Sequence, residues 1–198
     1  MRTAILLTAA SLALAACGSN SDTPAGEATS GTADDVGMSA ASGTAGPGMT
    51  TGSAAANAVG DQQFVDAVAA SDQFEIQSSQ LARSKATSKA VKDFAAMMID
   101  HHTKSSGDLK KAALGASPAV PVAANLTAAQ QADLDALRNA GADFDKLYAQ
   151  KQVAAHEKAR TLLSDYSAVA VPGPLRDFAS KTVTVVSGHL DQAKKLPQ

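Results

Sequence analysis

The spacing of apolar residues from residue 61 onward predicts an all-α protein. Apolar positions recur every three to four residues, which is the period of a helix that buries one face. The predicted helices cover about residues 61–84, 89–115, 127–140, 142–167 and 174–196. The breaks between them fall at Pro118 and Pro121, at Gly141, and at the run from Pro172 to Pro174.

Four of these helices are long, and the short one lies in the connection between the second and third long helices. A crossover over residues 115–141 makes those two helices parallel, as in ferritin-like bundles. We therefore expect residues 61–198 to form a ferritin-like four-helix bundle with an extra helix in the crossover between its halves. No strand pattern competes with this prediction.

An ionisable residue interrupts the apolar face of each long helix. These residues are Glu75 in the first helix, His102 in the second, Asp145 and His156 in the third, and His189 in the last. At 1.5 Å per residue, Glu75 and the three histidines would lie roughly 15–25 Å from the same end of the bundle. We therefore expect them to converge, with His101, Tyr148 and Gln152 flanking them.

Burying such groups costs free energy unless a partner satisfies them, and two interpretations stay open. In the first, Glu75 or Asp145 accepts hydrogen bonds from the imidazoles, and the network fixes the helix register. In the second, Glu75, His102, Asp145, His156 and His189 hold a single Zn, Cu, Mn or Fe ion. A di-iron site is disfavoured because the residues three positions before His102 and His189 are not glutamates.

The N-terminal 17 residues resemble a bacterial lipoprotein signal peptide. Arg2 is followed by a short apolar run and by Leu14-Ala15-Ala16-Cys17, a small-residue cleavage site that ends in cysteine. The resemblance implies that Cys17 is lipidated and that the lipid holds the protein on a membrane without spanning it. In the lipoproteins that this leader resembles, Asp after the lipidated cysteine favours retention at the inner membrane. Gly18 stands at that position, so the resemblance implies the outer membrane, with the protein facing the periplasm.

Residues 18–60 are predicted to form a disordered tether. This segment contains no Lys or Arg and is rich in Gly, Ala, Ser and Thr. Such small and polar side chains bury too little apolar surface for the segment to fold. The chain has a formal net charge of −2 and no Trp, which argues against binding to nucleic acid. The expected partner is therefore a membrane, reached through the lipid anchor.

Several short motifs of the predicted bundle carry a resemblance to a known family. They are Glu75-Ile76, Gln80-Leu81-Ala82, Val91-Lys92-Asp93-Phe94-Ala95 with Met98, His102-Thr103, Phe144-Asp145-Lys146-Leu147-Tyr148, Gln152-Val153, His156-Glu157 and His189-Leu190. Their pattern over nearly all of 61–196 resembles the bacterial ferritin-like family numbered 4142 among domains of unknown function. The resemblance implies the fold and no established activity. The family often has Asp where His101 stands, so the orientation of the neighbouring imidazole is open here.

We expect an envelope lipoprotein whose bundle is a non-catalytic binding or structural module with a buried Glu/His polar core. The alternative is a metal-binding protein that uses the same core residues. The sequence gives no sign of a hydrolase. It contains no Ser in a nucleophile-elbow motif, and it has no cysteine besides Cys17.

Overall fold

The computed structural model describes residues 51–197, with side chains described from residue 60 onward. The helices are α1 (Thr51–Lys85), α2 (Lys89–Leu114), α3 (Ala128–Asn139), α4 (Phe144–Val169) and α5 (Pro174–Ala193). A 3-10 turn at Gly141–Asp143 leads into α4. Since residues 51–197 contain no strand, the prediction of an all-α fold is confirmed. The predicted signal peptide, Cys17 and the tether up to residue 50 lie outside the described residues.

The four long helices form a bundle in which each packs against two neighbours. Helix α1 packs against α2 and α4, and α5 packs against the same two helices. Short connections make α1–α2 and α4–α5 antiparallel, and α1 and α4 are also antiparallel because Tyr166 contacts Asp61 while Tyr148 contacts Ser79. Helices α2 and α4 are therefore parallel and diagonal to each other. Helix α3 lies in the crossover between them, as predicted, and packs against α1 and α4.

The core consists of two apolar clusters separated by a polar layer. One cluster contains Phe64, Leu109 and Leu163, and the other contains Phe94 and Met98. Along each long helix, the buried ionisable residue lies between the positions that belong to the two clusters; the four residues concerned are Glu75, His102, His156 and His189. The apolar clusters therefore close the polar layer at both ends along the bundle axis.

Helix α1 begins ten residues earlier than predicted, inside the segment 18–60 that was expected to be a tether. Residues 51–59 contain four alanines, and alanine has the highest intrinsic helix propensity, so the helix extends without a strong apolar face. Helix α5 ends at Ala193, three residues before the predicted end. Gly141 separates α3 from α4 with a φ of 56°, a conformation that side chains disfavour.

The caps of α2 and α3 differ in kind. Thr127 caps α3 through a reciprocal capping box with Gln130. Ser88 occupies the N-cap position of α2, but its side chain makes no capping hydrogen bond. Instead, the Asp145 carboxylate accepts hydrogen bonds from the Thr87 amide at 3.1 Å, the Thr87 hydroxyl at 2.6 Å and the Ser88 amide at 2.7 Å.

Asp145 therefore serves the connection between α1 and α2 and does not join the polar layer, contrary to the sequence-based expectation. It lies in the first turn of α4, about 16 Å along the helix from His156. Partial burial of the carboxylate opposes ionisation, but the hydrogen bonds from Thr87 and Ser88 outweigh it and lower the pKa of Asp145. No helix among the described residues combines the length and apolar character needed to cross a bilayer.

Replacing Asp145 with Asn should destabilise the protein most at neutral pH. The pKa of Asp145 is lower in the folded than in the unfolded state, so its stabilisation is complete above the ordinary value of 3.8 and is lost as the pH falls through the folded value. We expect Asp145→Asn to lower the free energy of unfolding by about 1 kcal/mol at neutral pH, and by less near about pH 3. Urea unfolding at both pH values measures this difference.

The matched control is Asp165→Asn, which makes the same charge change at an exposed position of α4. It should change the free energy of unfolding little at either pH. Equal destabilisation by Asp145→Asn at both pH values would contradict the role of the ionised carboxylate.

Candidate metal centre

Three imidazoles meet in the polar layer of the bundle. His102 from α2, His156 from α4 and His189 from α5 are 5%, 1% and 3% exposed. Their ring centroids are 5.7 Å apart for His102–His156, 5.5 Å for His102–His189 and 5.4 Å for His156–His189. One ring nitrogen of each histidine lies within 4.8 Å of a ring nitrogen of each of the other two. This geometry can bring three nitrogen ligands to one ion.

Each of the three imidazoles has one nitrogen in a hydrogen bond. His102 Nδ1 donates to the Asp72 carboxylate at 2.8 Å, and His156 Nδ1 donates to the backbone carbonyl oxygen of Gln152 at 2.9 Å. His189 Nε2 is 2.8 Å from His101 Nδ1. The remaining nitrogens, His102 Nε2, His156 Nε2 and His189 Nδ1, are buried and have no hydrogen-bond partner among the described residues. The rings are thus oriented from outside, as in metal sites where an outer partner fixes the tautomer.

Asp72 is the residue that sequence reasoning missed. It is buried on α1, accepts from His102 through one oxygen, and accepts from the Ser106 hydroxyl through the other at 3.1 Å. The family often has Asp at the position of His101, which left open what orients the neighbouring imidazole of His102. In this chain the orienting carboxylate is that of Asp72, which comes from another helix. The available signal was its spacing, since Asp72 lies three residues before Glu75 and such pairs share one helix face.

His101 is exposed and belongs to a different part of the site from the buried histidines. Its ring is nearly parallel to that of His189, with centroids 5.1 Å apart and an interplanar angle of 22°. It therefore contacts the polar layer through His189 from the surface side.

Glu75 lies beside the imidazoles and is 1% exposed. Its Oε1 is 3.7 Å from His156 Nδ1, and neither carboxylate oxygen has a hydrogen-bond partner in the described part of the chain. Gln152 and Tyr148, the predicted flanking residues, are both buried and bound to serines of α1: Gln152 Nε2 donates to Ser78 at 3.2 Å, and the Tyr148 hydroxyl is 2.8 Å from Ser79.

The protonation of the site follows from burial and the neighbouring charges. Burial opposes protonation of His102, but the hydrogen bond to Asp72 and the charge of Glu75 outweigh it and raise the pKa of His102. Burial, together with the nearby His102 and His156, lowers the pKa of His189 to about 3. Burial and the charge of Glu75 raise the pKa of Tyr148 well above its usual range. His189 is therefore neutral at neutral pH, as a metal ligand has to be.

The residues present fit a single metal ion. Imidazole nitrogens are preferred ligands of Zn and Cu, and three of them with one more position are typical of mononuclear sites. The buried carboxylates of Asp72 and Glu75 can balance the two positive charges of a divalent ion. The predicted set is thus brought together except for Asp145, which binds the connection before α2.

The sequence profile of the family described as a domain of unknown function, DUF4142, matches residues 47–196. The chain belongs to the DUF4142 family. This confirms the family resemblance, and the profile begins close to the start of α1. No protein with a curated description matches the chain.

Two solved structures share the fold of this DUF4142 domain. They are CopM in its Cu(I)-bound form and CopM in its Cu(II)-bound form. Each is 20% identical to this chain with a TM-score of 0.57, and the similarity covers 68% of this chain and 93% of that chain. At this identity the likeness concerns the helical fold.

Replacing Glu75 with Met should stabilise the metal-free protein. A buried carboxylate without hydrogen bonds is costly, and Met has a similar size without the charge. We expect the free energy of unfolding, measured by urea denaturation in the presence of EDTA, to rise by about 1 kcal/mol or more. Glu157→Met makes the same change at an exposed position of α4 and should change it by less than about 0.5 kcal/mol. A loss of stability in Glu75→Met would show that the attraction between Glu75 and the imidazoles outweighs the cost of burying its charge.

Proposed function

We propose that this protein binds one metal ion in the core of its bundle through His102 Nε2, His156 Nε2 and His189 Nδ1. The observation that carries the proposal is that each ring is oriented by a hydrogen bond on one nitrogen, while its other nitrogen is buried and has no partner within the described part of the chain. Buried polar atoms without partners are rare in proteins, because each forfeits its hydration. A cation among these nitrogens satisfies all three at once.

A purely structural polar network is the second candidate. The hydrogen bonds Asp72–His102, Ser79–Tyr148 and Ser78–Gln152 support it, because they link α1 to α2 and α4 in one register. Such a network leaves unpaired the three imidazole nitrogens, both Glu75 oxygens and Gln152 Oε1 among the described residues. A network satisfied only in part is less stable than an apolar core, so the unpaired atoms favour a bound ion.

Copper is the metal we propose first, and zinc is second. Nitrogen sites bind Cu(II) more tightly than the other divalent ions of the first transition series. CopM, which shares the fold, has been solved with Cu(I) and with Cu(II) bound. Asp72 and Glu75 offer two negative charges, which match a divalent ion. The proposed role is non-catalytic binding of copper.

We further propose that the bundle is a lipoprotein of the outer membrane and faces the periplasm. Support comes from the leader, in which a small-residue site ends at Cys17, the single cysteine of the chain. A copper-binding bundle held there would meet metal ions of the cell envelope.

The full chain, carrying Cys17→Ser so that its thiol does not bind copper, should take up one Cu(II) per chain. Binding stabilises the folded state, by about 2.7 kcal/mol when the free ion is at 100 times its dissociation constant, which raises Tm by several degrees. Isothermal titration, elemental mass spectrometry and thermal unfolding measure uptake and its effect. His156→Leu should lose both.

The control for this test is Lys158→Leu, which introduces the same side chain at an exposed position two residues away. It should bind like the unsubstituted protein. Absence of binding in the unsubstituted protein, or equal binding by His156→Leu, would overturn the proposal and leave the structural network.

Cys17→Ser should also move the protein from the membrane fraction to the soluble periplasmic fraction of cells, because the lipid anchor is lost. Ser19→Ala, two residues away, should leave the protein with the membranes. Membrane retention of Cys17→Ser would contradict the proposed anchor.

A further inference from the structure

A groove on the surface and a small cavity in the core lie on two sides of one thin wall. The groove, of about 750 Å³, lies between α2 and α5. The cavity, of about 40 Å³, is lined by Asp72, His102 and His189 of the polar layer. Four residues line both: His101, Ser105, Thr182 and Val185. The wall between solvent and the cavity beside His102 and His189 is therefore one side chain thick at this place.

An ion has no comparable path along the bundle axis. The apolar clusters close the polar layer on both sides, with Met98 and Leu109 fully buried before and after His102 on α2. Desolvating an ion across such a layer is far more costly than passing it between polar side chains. The groove between α2 and α5 is thus the more polar way in.

His101 is the movable part of the wall. It is exposed, and its Nδ1 is held to His189 Nε2 at 2.8 Å. Exposed side chains change rotamer within picoseconds to nanoseconds, so this ring can swing away once that hydrogen bond breaks. The neighbouring Thr182 is less free, because its hydroxyl donates to the Phe178 carbonyl at 2.7 Å within α5.

The ionic groups that line the groove do not close it to a cation. On α2, Lys104 and Lys111 both pair with Asp108, at 2.5 Å and 3.4 Å. On α5, Asp177 and Lys181 line the opposite side of the groove. The positive charges are thus partly neutralised by carboxylates in the same groove. His101 offers an imidazole at its inner end.

From these observations we infer that metal ions reach and leave the three-histidine cluster through the groove between α2 and α5, with His101 as the gate. This inference rests on the proposed metal binding. The His101 ring closes the wall while it is bound to His189 and opens it by rotating toward the groove. His101 is therefore a positioning residue for His189 and a gate for the ion, and it is not one of the three ligands.

Rates of exchange test this route in the full chain, with Cys17→Ser in every variant and Cu(II) alone as the probe. Val185→Trp enlarges a wall residue that is 50% exposed, so that the ring can cover the gate. We expect uptake of Cu(II) and its extraction by EDTA, both followed by stopped-flow absorbance, to slow at least tenfold while one ion still binds. Val169→Trp, the same change at a residue of α4 that is 84% exposed, should exchange at the unsubstituted rate.

Opening the gate gives the opposite result. His101→Ala should accelerate both uptake and extraction at least tenfold. If His101 only positions His189 and does not act as a gate, losing its hydrogen bond would accelerate extraction alone. The uptake rate therefore separates a gate from a residue that only positions His189. Ser105→Phe narrows the wall from the α2 side and should slow both rates, which keeps the test decisive if Val185→Trp does not fold.

The outcomes distinguish this inference from the function on which it rests. Failure of the unsubstituted protein to bind Cu(II) overturns both. Stoichiometric binding, with unchanged exchange rates in Val185→Trp and Ser105→Phe, overturns the route alone. Unchanged uptake in His101→Ala overturns the gate.

Discussion

The burial of a polar layer across the middle of the bundle is the constraint on which the rest of the structure depends. Three imidazoles and the Glu75 carboxylate are removed from water there, and each needs a compensating partner. Asp72 supplies one for His102, and the Gln152 carbonyl supplies one for His156. The Asp72–His102 bond and the Ser78–Gln152 bond form only when α1, α2 and α4 stand in one register, so the polar layer fixes how far these helices slide along one another.

The two apolar clusters give this layer its electrostatic character. They exclude water on both sides along the bundle axis, and charges interact more strongly where water is excluded. The opposite pKa shifts of His102 and His189 follow from this, since His102 contacts a carboxylate while His189 contacts other imidazoles. In the proposed metal site, rings that are oriented before the ion arrives bind it more tightly, and their unpaired nitrogens lower the stability of the metal-free protein.

The side of the bundle between α2 and α5 differs from its ends. There the polar layer reaches the surface through His101, whose ring lies against His189. The same contact orients a buried imidazole and separates it from solvent. Asp145 lies away from the polar layer and has a different role, because its carboxylate accepts hydrogen bonds from the backbone amides that precede α2.

Helical periodicity and the Pro and Gly breaks predicted the four long helices, the crossover helix and the placement of Glu75, His102, His156 and His189 on buried faces. These features are local, because the face of a residue follows from its position along a regular helix. The early start of α1, the role of Asp72 and the position of Asp145 were not predicted. The two acidic residues depend on neighbouring elements: Asp72 accepts a hydrogen bond from His102 on another helix, and Asp145 accepts from the amides of a distant connection. The early start of α1 is local, because it follows the alanines of residues 51–59. Helical spacing specifies which face a side chain occupies, but only tertiary packing decides what that face meets.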